Sequence, residues 1–422
     1  MIEATGRSTS SATRWTLPEM AMAAAVALLL TGSFSGAVFW GYEHGGFPLK
    51  PRDFNIALTL VVLALLPFNR PRFSLPALAL LTLPLGRVLD AAFLRRYVQI
   101  EFGAHSVYAL MLVGYLIISI AAVLSLATSK GRQTAILVAA AAIVVNSAMN
   151  LYEYLGFASF TRITGRMAGF HIDPNHSPII MCLMLGILYT VNTRYWWNMA
   201  LALVAAVGIA LTMSRSGMAV FAGMTALYVL LHFREHKAGM ITLAAVAVPL
   251  LAVGIGILGA TSTKQGLHKN EDTAGRMEAI FSGDFEKVKS PERAKDLADG
   301  WEAVTRRPIT GYGTGAGDGG DTWQPHNMFV TQWIDMGLFG LLQFAFALLA
   351  TTAMCMAKKF RGGFCLMPVW LFIPCSQVLM ETPAYWYCFA VAAMVVFPRR
   401  YSLSLRGRES SALPQQQVTL HA

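Results

Sequence analysis

Runs of about twenty mostly apolar residues recur along nearly the whole of this 422-residue chain, and no other feature restricts its fold so strongly. A helix of about 20 residues spans the hydrocarbon core of a bilayer, because each residue advances the axis by about 1.5 Å. Such runs begin near residues 18, 54, 74, 104, 134, 176, 196, 216, 239, 336, 363 and 384. The pattern predicts an all-α, polytopic membrane protein of about twelve transmembrane helices. The second, third and last runs are short or broken by proline, which sets the range at eleven to thirteen. Charge agrees: only 13% of residues are charged, where a soluble domain carries about 25%. A chain this poor in charge cannot clothe two or three soluble domains, and disorder needs the opposite composition.

With twelve spans both termini lie on one side, and the excess of Lys and Arg in short cytoplasmic loops identifies it. Placing the N-terminus inside puts 16 basic residues in the cytoplasm and 8 in short external segments. The basic residues of the polar stretch Thr261–Pro325 are set aside, since loops of about 60 residues translocate regardless of charge. The expected divisions are a cytoplasmic tail (1–17), nine spans (18–260), one large external loop containing helix (261–326), three spans (327–398) and a basic, disordered cytoplasmic tail (399–422). A cleaved signal peptide is the alternative for the start. The apolar stretch Met20–Trp40 is long for one and lacks a clean small-x-small site. The net charge of +10 reflects loop bias, and no nucleic-acid motif accompanies it. The five cysteines lie in or beside apolar runs, which indicates neither a disulfide framework nor a zinc site.

Six arginines run against the charge rule. Arg87, Arg95, Arg96, Arg162, Arg166 and Arg215 all fall in or near short external segments, with no lysine among them. Some suit an anchoring role at the headgroups. The planar guanidinium fork also suits phosphate and keeps its charge in a partly desolvated site. Arg215, in Met213-Ser214-Arg215-Ser216-Gly217, sits between two spans with almost no loop. An arginine there needs a cavity or a partner, for which Asp173 or Glu381 would serve.

Within the large loop, Ser290-Pro291-Glu292 reads as a helix start and Arg306-Arg307-Pro308 as its end. Ala294, Leu297, Ala298, Trp301 and Val304 recur between them at helical spacing, an apolar stripe expected to face the membrane side of the protein. Arg293 opens this helix. Gly311–Gly320 is rich in glycine but follows no strand, so it is not a nucleotide loop. Then comes Pro325-His326-Asn327, just before an apolar run. A lone histidine at a membrane boundary is by default structural. Set among external arginines, a neutral imidazole is also a proton acceptor at neutral pH.

These residues resemble a family. His326-Asn327, nine residues, Gly337, two residues and Gly340 reproduce the H-[NSQ]-x9-G-x-x-G pattern of bacterial O-antigen ligases. Arg162, Gly165, Asp173-Pro174-Asn175, Ser214-Arg215-Ser216-Gly217, Arg293, Trp301, Pro308, Gly311 and Gly313 agree in order. The resemblance covers about residues 150–345; the first five spans agree only in hydropathy. It implies an inner-membrane glycosyltransferase with a periplasmic site, which moves a glycan from undecaprenyl diphosphate to lipid A–core in lipopolysaccharide synthesis. Arg215 and Arg293, then Arg162 and Arg166, are expected on the diphosphate, with His326 as general base of an inverting displacement. Asn327, Gly337 and Gly340 support the motif.

No cofactor is expected. The outer side carries no Asp-x-Asp, and Asp318 and Asp321 stand too far apart to replace it, which predicts neutralisation of the diphosphate by arginine rather than metal. The arginine and glycine pieces are shared with O-antigen polymerases and O-linked oligosaccharyltransferases, so those activities remain open. So does a lipid-glycan transporter, which would use the same cations but need no base. Transporters tend to gather charge at mid-membrane and to repeat their halves; here charge gathers outside.

Overall fold

A computed structural model gives the structure of the protein and describes residues 15–69, 72–74, 82–90, 129–161, 166–191, 194–233, 235–237, 291–317, 323, 325–357 and 402–404. The described residues are almost entirely helical. In chain order the helices are α1 (Leu17–Ser35), α2 (Ala37–Glu43), α3 (Pro51–Leu65), α4 (Thr82–Leu89), α5 (Ser129–Tyr154), α6 (His176–Val191), α7 (Tyr195–Leu211), α8 (Arg215–Phe233), α9 (Pro291–Arg306) and α10 (Met328–Ala357). Strands β1 (Arg72–Ser74) and β2 (Ser402–Ser404) pair antiparallel, Phe73 opposite Leu403. The all-α expectation therefore holds apart from this ladder. The tail read as disordered contributes one of its strands.

Local signals set the helix limits. At the start of α1 the Thr16 N–H donates to Glu19 Oε2 at 2.9 Å, and Pro18 fills an early position that needs no donor. Gly36, at φ 70°, ends α1 in the left-handed conformation, and the chain turns 61° into α2. A side chain at Gly36 would meet the Phe170 carbonyl at 2.8 Å.

The core forms around α6, which is buried from Ser177 to Thr190 and packs against α5 and α7. Such a helix, apolar all round, is enclosed by protein. Small residues let its neighbours approach. A Cβ on Gly208 of α7 would lie 2.5 Å from Ser147 Oγ of α5, and one on Gly217 of α8 would lie 2.5 Å from Pro178. Close backbone approach of this kind is how helices associate where lipid gives no hydrophobic drive. Asn146 ties α5 to α1 through the Phe34 carbonyl (3.1 Å), and Asn150 ties it to Gly208 O (3.0 Å).

The outward surfaces are apolar as well: Leu137 and Val144 on α5, Val204 and Val207 on α7, Leu342, Phe346 and Leu349 on α10. Helices apolar inside and out belong in a bilayer, and this is a membrane protein. Among the described residues, Gln133–Tyr154, Arg215–Phe233 and Met328–Leu349 are long and apolar enough to cross it, and the bent α1–α2 pair, counted as one span, makes a fourth. Seven of the twelve expected runs coincide with α1, α3, α5, α6, α7, α8 and α10, although α10 begins at Met328 rather than near 336. The run expected near 74 is β1 and, further on, the eight-residue α4. Those near 104, 239, 363 and 384, and most of the large loop, lie outside the described residues.

Candidate functional site

Two clusters form from the residues singled out by sequence. The first is organised by a residue that sequence did not flag, Glu153, at the end of α5. Its buried carboxylate accepts four backbone N–H groups: Oε1 from Phe160 and Thr161 (2.7 Å each), Oε2 from Ala168 (2.8 Å) and Gly169 (3.0 Å). An ionised carboxylate has the lone pairs for four donors, and each charge-assisted bond is stronger than a neutral one. One side chain thus folds both limbs of the loop that precedes α6. In Glu153→Gln the amide N–H2 group cannot accept, so amides on one limb lose their partner. The expected cost is on the order of 3 kcal/mol, read as a lowered midpoint of thermal unfolding together with faster proteolysis between 155 and 168.

Arg166 follows on this loop. Its Nε donates to the Thr212 carbonyl at 3.0 Å and Nη2 to Asn175 Oδ1 at 2.9 Å. Asn175 is fixed in turn by its own N–H on Asp173 Oδ1 (2.7 Å). The Met167 N–H reaches the Leu211 carbonyl, so the loop lies across the α7–α8 turn. Arg166 therefore knits Asp173-Pro174-Asn175 to that turn with two of its five donors, a positioning role beside the phosphate role expected of it. Met213 takes φ 51° in the turn, and Ser214 Oγ accepts the Gly217 N–H at 3.4 Å, capping α8. Arg215 is thereby the first residue of α8, half-buried, where the helix dipole adds to its charge. Arg162 and Gly165 lie outside the described residues.

His171 sits nearby in a single 3-10 turn (Gly169–His171). Burial, then the charge of His176, push its pKa from 6.5 down to about 3, and its Nε2 has no hydrogen-bond partner. A base so weak draws no proton from an alcohol at neutral pH.

The second cluster joins α9 to the start of α10. Asn327 Oδ1 accepts the N–H groups of Phe329 (2.9 Å) and Val330 (3.2 Å), which makes Asn327 the N-cap of α10. The cap throws His326 into the left-handed region, φ 50°, with its imidazole half-exposed. Its Nε2 is 3.8 Å from Asp296 Oδ2 on α9. Arg293, three residues before Asp296 and half-buried, shares that face of the helix. A Cβ on Gly300 of the same face would lie 2.9 Å from Pro325, so the two segments meet closely. Arg293, Asp296 and His326 thus belong to one corner.

The packed face of α9 is not its apolar stripe. Arg293, Asp296, Gly300, Ala303 and Val304 are buried or half-buried, whereas Ala294, Leu297, Ala298 and Trp301 of the apolar stripe are exposed. Only Val304 of the stripe is enclosed.

The motif glycines explain themselves by backbone contact. Gly337 breaks α10 at φ 63°, ψ −155°, and the Ile309–Gly311 strand of chain lies directly against it. There Leu338 N–H donates to Ile309 O (3.3 Å), Tyr312 N–H to Ile334 O (2.7 Å) and Gly313 N–H to Asp335 O (2.8 Å). Buried Asp335 accepts the Gly317 N–H at 2.8 Å, and Asp90, beyond α4, accepts both Thr314 N–H and Oγ–H at 3.0 and 2.8 Å. Among the described residues of this loop, the amides of Tyr312, Gly313, Thr314, Ala316 and Gly317 are thus engaged within the protein. A Cβ on Gly340 would lie 2.6 Å from the Gln332 carbonyl, beside the kink.

Glu153, Asp90, Asp296 and Asp335 escaped sequence reasoning. A weak signal existed for Asp335, an acid standing within an apolar run. Among the described residues no three His, Cys, Asp or Glu side chains gather as metal ligands.

Residues 200–345 match the family model described as O-antigen ligase, which supports the O-antigen ligase superfamily. The matched segment contains Arg215, α9, the glycine loop, His326 and both motif glycines. No curated protein matches the chain.

Proposed function

We propose that this protein is an inner-membrane O-antigen ligase, which transfers a glycan from undecaprenyl diphosphate to a hydroxyl of lipid A–core on the periplasmic side. The observation that carries the reading is the corner of His326, Asp296 and the Arg293 face, held by the cap of α10. The donor already bears its leaving group. The enzyme must therefore stabilise the charge gathering on the diphosphate and remove one proton from the acceptor. The acceptor oxygen bonds to the anomeric carbon as the bond from that carbon to the diphosphate breaks, with inversion. The proton goes to His326 and the leaving charge to Arg215 and Arg293, with Arg162 and Arg166 as the next candidates. Neither step calls for a metal. The pairing of β1 with β2 agrees with their assignment to one and the same side of the membrane.

Asp296 gives the base a direction. Asp296 Oδ2 faces Nε2 at 3.8 Å, and closing to hydrogen-bond distance in the substrate complex would put Nε2–H on the carboxylate and leave Nδ1 to receive the proton. Asp296→Asn can offer either a donor or an acceptor and loses that selection. The expected result is a fall in kcat of about 10²-fold with little change in KM for the donor lipid, and recovery in Asp296→Glu.

The test of the function is reconstitution of purified protein with lipid-linked glycan and lipid A–core, without any ion or membrane gradient. Labelled glycan on lipid A–core, formed equally well in EDTA, supports the ligase. Elongated lipid-linked glycan instead identifies a polymerase, labelled protein an oligosaccharyltransferase, and movement of intact donor across the bilayer a transporter. Activity lost to chelator and restored by Mg²⁺ or Mn²⁺ overturns the metal-free mechanism.

A further inference from the structure

The circumference of α9 divides into three arcs. The first, Arg293, Asp296, Gly300, Ala303 and Val304, packs toward α10 and the His326 segment. The second is charged and exposed: Lys295, Asp299, Glu302 and Arg306, spaced four, three and four residues apart. It borders an open depression of about 230 Å³ that includes Trp323 in its lining. The third is exposed and without charge: Ala294, Leu297, Ala298 and Trp301. A helix on the surface of a soluble protein meets two surroundings, core and water. Two exposed arcs of opposite character require a third.

The apolar arc is also continuous with a membrane span. Trp301 stands edge-on to Trp333 of α10, ring centroids 5.6 Å apart, and the Trp333 indole N–H donates to the Pro308 carbonyl at 2.8 Å. The next residue, Ile309, is 73% exposed, and its carbonyl accepts the N–H of Leu338. Leu338 and Phe339 are exposed in turn, within the part of α10 long and apolar enough to cross a bilayer. Contact by contact, the patch runs from Leu297 onto the lipid-facing flank of α10.

We propose that α9 lies in the headgroup layer of the bilayer leaflet that α10 enters, with Leu297 and Trp301 sunk to the acyl boundary and Lys295, Asp299 and Glu302 in water. Amphipathic helices bind in this plane through their apolar area, and tryptophan favours that depth. The occupant of the apolar arc is the phospholipid surface itself. Its physical consequence is height: the packed arc, with Arg293 and Asp296, is held level with phosphate groups anchored in the same leaflet. In the glycosyltransferase reading these include the diphosphate of the donor, but the placement of α9 stands apart from that reading.

The test needs neither glycan nor transfer. A benzophenone amino acid is placed at Leu297, Trp301 or Asp299 of the full chain, in nanodiscs of phosphatidylethanolamine and phosphatidylglycerol. After irradiation, lipid adducts are read by intact mass. Adducts at 297 and 301, with none above background at 299, are expected. Equal yields at 299, or none at 297 and 301, overturn the proposal. Should the probe at 301 lower the melting temperature, Ala298 replaces it with the same expectation. A protein that shows the lipid contrast but moves no sugar would sink the function and leave this inference standing.

Discussion

His326→Asn is expected to lower glycan transfer by about 10²–10⁴-fold while leaving the protein folded and inserted. Asparagine is chosen because residue 326 sits at φ 50°, a region that asparagine enters more readily than most side chains. The cap that begins α10 comes from Asn327, so the start of that helix is untouched. What disappears is the ring nitrogen to which the proposal assigns the acceptor's proton. The affinity for the donor lipid, which the proposal assigns to the arginines, should stay close to that of the parent protein. Rates are to be measured with excess lipid A–core acceptor, alongside the thermal midpoint in the same detergent. Transfer at the parent rate would remove His326 from the chemistry. Loss of the thermal transition would instead expose a structural role that the half-exposed imidazole does not predict.

Gly337→Ala acts by a different route and should be the most destabilising single change considered. At φ 63° and ψ −155° the backbone occupies a region open essentially to glycine alone. The added methyl would also press on the Ile309 carbonyl and the Gly311 amide, neither of which can move without breaking the bonds from Leu338, Tyr312 and Gly313. Strain and lost bonds together put the cost on the order of 3 kcal/mol or more. The measurable result is a large fall in thermal midpoint and in recovered folded protein. Any residual folded fraction should still transfer glycan, since Gly337 meets backbone and no group assigned to the reaction. A folded, stable Gly337→Ala with lost transfer would contradict that division. The two variants separate the parts of one motif: its histidine is proposed to serve chemistry, and Gly337 serves the crossing of two chain segments.

The legible and illegible parts of the molecule divide along the same line. Hydropathy alone located most of the described long helices, and local signals set their ends: Thr16 with Glu19, Gly36, Ser214, and Pro291 with Arg306. The stripe on α9 was legible as a helix, whereas the face that packs on α10 was not. Apolar periodicity reports which face avoids water, and at a membrane that face is free to meet lipid instead of core. The apolar run near 336 begins later than α10 itself because Thr331, Gln332 and Asp335 dilute the hydropathy of the first turns; all three are buried.

The amino-acid sequence by itself determined the membrane class, most of the described long helices and the order of the family motif residues, because these rest on hydropathy, charge and order along the chain. Only the tertiary structure decided that Glu153 gathers two limbs of a loop, that Arg166 is tied to Thr212 and Asn175, and that Asp296 faces His326. It also decided that Asp90 holds Thr314 across 224 residues. The physical reason is that caps and hydropathy act within a few residues of their cause. A hydrogen bond between distant segments exists only once packing has brought its donor and acceptor within about 3 Å.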